Sequence, residues 1–83
     1  MRITINMFDL PLGSVGLIVG YHRVYGGYVG KLISKGLVRN TCFVVLDLAT
    51  AEGGVKILLA DKIVELSKPE ANALEIELGA LEN

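Results

Sequence analysis

The sequence predicts a small, mainly β domain: a partly open barrel of five to six short strands, with one short helix after the first barrel strand and a helical turn before the last. Three observations carry this. Apolar residues recur at strand period over short runs divided by turn residues. Glycines fall inside one of those runs, where they mark bulges or bends at a barrel corner. No rhythm of strands alternating with long helices is present. The chain of 83 residues makes a single domain, 1–83, near the lower size for a self-sufficient core.

In chain order, "RITINMF" alternates and predicts a half-buried strand with Ile3, Ile5 and Met7 on one face. "DLPLG" is a turn, with Pro11 fixing φ and Gly13 permitting an unusual one. "SVGLIVGYHR" sets Val15, Leu17, Val19 and Tyr21 on one face and is interrupted by Gly16 and Gly20. "TCFVVLDLAT" is apolar on both faces for most of its length. "AEGG" forms a hairpin loop, "VKILLA" turns Val55, Ile57 and Leu59 inward, and "DK" makes a two-residue turn into "IVEL". Ser67, Pro69 and Glu70 form a capping box for one or two helical turns. "LEIEL" then resumes alternation with Leu74, Ile76 and Leu78 in phase.

The stretch "VYGGYVGKLISKGL" holds glycines and a Gly-Lys pair, which raises the question of phosphate binding. A P-loop needs glycine five residues before Gly30 and a hydroxyl after Lys31, but Tyr25 and Leu32 stand there. A dinucleotide fingerprint also fails at Tyr25. Residues 27–36 read instead as a short helix, with Val29, Leu32, Ile33 and Gly36 on one face and Lys31, Ser34 and Lys35 on the other. Gly26 and Gly27 let the chain leave a bent strand, Gly30 lets the helix lie close to the barrel, and Gly36 ends it.

Hydrophobic residues make up 52 % of the chain, with no Trp and five aromatics, so the core is aliphatic. So small a domain cannot hide all of that surface, which favours an apolar patch for a partner or a homo-oligomer. No run approaches the length of a membrane helix, and the N-terminus lacks a signal-peptide pattern. One cysteine excludes an internal disulfide framework, and Cys42 reads as a small core residue in a reducing compartment.

Catalytic and metal chemistry find little support. His22 and Cys42 are single, with no ligand pair at metal spacing, and Glu65, Glu75 and Glu77 read as the polar faces of strands. The sequence therefore predicts no enzyme, no cofactor and no dedicated metal site. "GYVG" matches the loop of a KH domain, and Tyr21, Tyr25 and Tyr28 have stacking faces. That loop joins two helices, however, and the net charge of −1 lacks a basic footprint, which argues against nucleic acid. Charge is uneven: residues 1–40 carry Arg2, Arg23, Lys31, Lys35 and Arg39 against Asp9 alone, whereas residues 41–83 carry three lysines against eight acids.

The ordered set "LPLGSVGLIVGY", "GKLISKGL" and "GGVKILLADKIVELSKPEANALEIE" resembles the ferrous iron transport protein A family, the FeoA-like proteins. Departures from the family pattern are Lys35, Arg39-Asn40, Ala60-Asp61 and Ser67. The resemblance implies an SH3-like barrel in the cytoplasm that assists ferrous iron uptake. It would do so by docking on the cytosolic domain of an FeoB-type membrane GTPase transporter, with no membrane insertion and no iron held by this chain. Tyr25, Tyr28, Lys31, Ser34 and Lys35 are the candidate docking residues, as the exposed side of the loop and helix. Related SH3-like domains end metal-dependent repressors, so the rival expectation is a free-standing regulatory or peptide-binding module. A second rival is an iron chaperone.

Overall fold

The computed structural model describes residues 5–51 and 53–79. Five antiparallel strands form one open sheet: β1 (Val15–Tyr21), β2 (Cys42–Asp47), β3 (Val55–Leu59), β4 (Lys62–Leu66) and β5 (Leu74–Leu78). Their order across the sheet is β4-β3-β2-β1-β5, so β4 and β5 are its edges. Helix α1 (Val29–Ser34) lies between β1 and β2, and α2 (Lys68–Asn72) between β4 and β5. This is a mainly β, SH3-like, partly open barrel of five strands.

The core face is clearest on β3, where Val55, Ile57 and Leu59 are buried and Lys56 and Leu58 are not. β2 contributes Phe43 and Val45, and β5 contributes Leu74 and Ile76. β1 turns Gly16 and Ile18 inward, with Val15 and Leu17 half-buried on the other side. A bulge between Ile18 and Gly20 then shifts the register, so Gly20 pairs with Glu75, and Tyr21 pairs with Leu74 and packs against the core. At Gly16 the reason is Phe43. It pairs with Gly16 in the ladder, and a Cβ on Gly16 would lie 2.4 Å from the tip of its ring. The missing side chain is the space the ring fills.

Other local readings shift. The first strand does not extend through Met7. Ile5 makes one bridge to Ile76, and Met7–Asp9 is a 3-10 turn because the Asn6 side chain accepts from the Phe8 amide and caps it. Ile3 lies outside the described residues. The β3–β4 turn is Ala60-Asp61 rather than Asp61-Lys62, since Leu59 pairs with Lys62. Ala60 takes a φ of 48° there, a position that favours glycine. Leu78, in phase with Ile76, is exposed at the end of its edge strand. Cys42 is exposed and not a core residue, because strand alternation gives the inward places to Phe43 and Val45.

Helix α2 begins with a complete capping box. The Ser67 hydroxyl accepts from the Glu70 amide at 3.3 Å, and the Glu70 carboxylate accepts from the Ser67 amide at 2.8 Å. Among the described residues no helix is long and apolar enough to cross a membrane.

Candidate docking surfaces

Between β1 and β2 the chain leaves the sheet at His22 and returns at Thr41. It first makes a 3-10 turn, Arg23–Tyr28, kinked at Tyr25, and then α1. Tyr25 and Tyr28 are half-buried against the core, with ring centroids 6.4 Å apart and planes tilted by 54°. The helix ends in a Schellman arrangement: Leu37 N–H donates to the Leu32 carbonyl and Gly36 N–H to that of Ile33, with Gly36 at φ 93°. Leu32 and Leu37, at the two ends of that motif, are fully buried. The Tyr21 hydroxyl then donates to the Leu37 carbonyl at 2.7 Å and ties the returning chain to β1.

The structure sorts the five candidate docking residues into three kinds. Lys31 and Ser34 are exposed, and the Ser34 hydroxyl donates to the Lys31 carbonyl. Tyr25 and Tyr28 present only part of each ring to solvent. Lys35 is not free. Its Nζ donates to both carboxylate oxygens of Glu70, at 3.1 and 3.0 Å, and to the Glu65 carbonyl at 3.2 Å.

Glu70 is the one buried charged residue among the described residues, and Lys35 lies where its charge is compensated. Burial pushes the Glu70 carboxyl up, but the Ser67 amide, the Lys35 ammonium and the Ser67 hydroxyl together hold it below its ordinary value.

Three expectations about this excursion fail. Ile33, placed on the inner face by periodicity, is 50 % exposed, because so short a helix buries Leu32 alone. Gly30 does not lie against the barrel: a Cβ there meets nothing within 4 Å. The same holds for Gly26 and Gly27, which sit inside the 3-10 turn. The bend there falls at Tyr25 and asks for glycine at neither position.

A second surface was not marked by the sequence reading. In the ladder Val15 pairs with Val44, Val44 with Leu58, and Leu58 with Ile63, which lays one apolar row across four strands on the outer face. A shallow groove of about 560 Å³ takes in three of these residues, Val15, Val44 and Leu58, together with Cys42, Asp61 and Lys62. The available signal was the apolarity of "CFVVL" on both faces, since one face of a strand fills a core and the other must go elsewhere.

His22 lies at the end of β1 with Nδ1 3.5 Å from a Glu75 oxygen, both half exposed. Gly20 makes room for that carboxylate: a Cβ there would lie 2.9 Å from it. Among the described residues no group of three or more His, Cys, Asp or Glu side chains is placed to share a metal ion.

No protein-family model and no curated protein matches the chain. Solved structures do. An FeoA-like protein from Clostridium acetobutylicum, determined by NMR, superposes with a TM-score of 0.80 at 19 % identity, over 100 % of this chain and 95 % of that one. An iron uptake regulatory protein (FeoA) in a monoclinic crystal gives 0.73 at 19 % identity, over 90 % and 96 %. A manganese-dependent transcriptional repressor gives 0.83 at 15 % identity, over 96 % of this chain and 44 % of its own. The fold is therefore that of FeoA-like proteins and of a part of the repressor spanning under half its length.

Proposed function

We propose that this chain is a non-enzymatic accessory protein of ferrous iron uptake in the cytoplasm, acting by docking on the cytosolic part of an FeoB-type membrane GTPase transporter. One observation supports this reading: two FeoA-like proteins share the fold, at TM-scores of 0.80 and 0.73. The repressor contains the same fold as one part of a longer protein. Its TM-score is as high, so a regulatory or peptide-binding module is the second reading, and it uses the same surfaces. In both readings the work is contact between proteins. The residues assigned to it are Tyr25, Tyr28, Lys31 and Ser34, with Lys35 supporting them through Glu70.

The test is retention of the purified chain on the immobilised cytosolic domain of the transporter. The wild type is retained, and a Tyr28→Ala/Lys31→Glu variant with an unchanged fold is released. Equal retention of both would remove these residues from the interface. No retention of either would favour the regulatory reading.

A further inference from the structure

The excursion between β1 and β2 carries charge of one sign. From Leu10 to Leu46 the sequence has no Asp or Glu, while Arg23, Lys31, Lys35 and Arg39 all fall between His22 and Thr41. Two acids are engaged with this segment through their side chains, Glu70 with Lys35 and Glu75 with His22, while Glu65 meets Lys35 through its backbone carbonyl and Asp61 lines a groove with Gly36 and Thr41. Arg23, Lys31 and Arg39 are exposed, and none has an acidic partner among the described residues. The same segment leaves large apolar side chains in solvent, Val24 at 86 % exposure and Ile33 at 50 %, and covers only part of Tyr25 and Tyr28.

From this we infer that the excursion recognises a short acidic segment of a partner protein, with Arg23, Lys31 and Arg39 meeting its carboxylates and Tyr25, Tyr28 and Val24 its apolar residues. This rests on the docking reading only in taking the excursion as the partner surface. The number of free cations decides the class of occupant. A duplex nucleic acid is held through about 6–10 phosphate contacts, and an anionic membrane through clusters of roughly 4–8 cations. With Lys62, whose ammonium lies 3.9 Å from where a Cβ on Gly36 would stand, the free cations at the excursion number four among the described residues, short of a duplex and only at the lower edge for a membrane. The rest of the molecule carries a surplus of acids, which repels any long polyanion extending beyond the excursion. A short acidic peptide matches the available charge without meeting that repulsion, and aromatic side chains give it a register.

The experiment is an NMR titration of the whole labelled chain with the synthetic peptide (Glu-Asp-Leu-Ser)3. Amide shifts confined to residues 22–41 are expected, with affinity falling at least about tenfold between 50 and 300 mM NaCl. Lys31→Glu weakens binding at least about tenfold, and Lys56→Glu, on β3, leaves it within about twofold. A DNA duplex and phosphatidylserine vesicles bind more weakly than the peptide. Absence of shifts, shifts mapping to the sheet, equal loss in both variants, or tighter binding of duplex or vesicles would each overturn the inference. Its fate is separate from that of the proposed function. Peptide binding without transporter retention sinks the docking role alone, and retention that ignores salt and Lys31→Glu sinks the acidic partner alone.

Discussion

Gly16 and Phe43 occupy one site between them: paired across β1 and β2, the glycine supplies the backbone and the phenylalanine the side chain. Aromatic rings laid over strand glycines stabilise curved sheets in this way. A methyl group at position 16 has no place unless the ring moves. Gly16→Ala is expected to cost about 1–3 kcal/mol, read as a lower urea midpoint. The Gly16→Ala/Phe43→Leu double variant should lose less than the two single variants summed, which a double-mutant cycle measures.

Two further glycines give opposite outcomes. A Cβ on Gly54 would lie 1.9 Å from the Leu66 carbonyl oxygen, a backbone atom that cannot rotate aside. Gly54→Ala should therefore unfold the chain or cost upwards of about 3 kcal/mol. Gly30 lies in α1 with open space around it, so Gly30→Ala should stabilise by about 0.5–1 kcal/mol through helix propensity. Thermal melts of the two variants should move in opposite directions.

The Lys35–Glu70 pair sets a pH dependence. The folded Glu70 carboxyl sits below its ordinary value of 4.5, so the unfolded chain holds the proton more tightly. The stability it contributes is complete above 4.5 and is lost as pH falls through the lower folded value. Urea midpoints should drop on acidification from pH 5 to 3, and less steeply in Glu70→Gln. At pH 7, Lys35→Met should cost about 1–3 kcal/mol, because it leaves a buried carboxylate without its cation.

Cys42 offers a direct check of the sheet orientation. The folded protein should react with a maleimide at a rate close to that of the urea-unfolded chain, since the thiol faces solvent. Strong protection in the folded state would place it under cover.

The legible parts of the fold were those with local causes. The capping box from Ser67 to Glu70, the alternation of β3 and the helix stop at Gly36 each follow from neighbouring residues. What escaped depended on distant ones. The inward place at Gly16 was set by a ring from β2, and a bulge after Ile18 brought Tyr21 against the core while Val15 and Leu17 stayed on the other face. Lys35 reads as a surface residue in its own helix, and only Glu70, far along the chain, draws it in. The shift of one residue in the β3–β4 turn arose because Ala60 accepts a left-handed φ usually left to glycine. Tyr25, Tyr28, Lys31, Ser34 and Lys35 were named from sequence as a docking set; the structure shows how far each reaches solvent. The apolar row on the outer face required the strand order as well as the sequence.

The bond from Lys35 to the Glu65 carbonyl has a bearing on solubility. β4 ends the sheet, so one side of its backbone has no neighbouring strand and can template another chain. The ammonium occupies one of the acceptors that an incoming strand would need, and it brings a charge to a segment rich in Ile, Val and Leu. Lys35 thus guards an open edge. A chain that lost it would be prone to growing strand by strand into aggregates, even where its own fold survived.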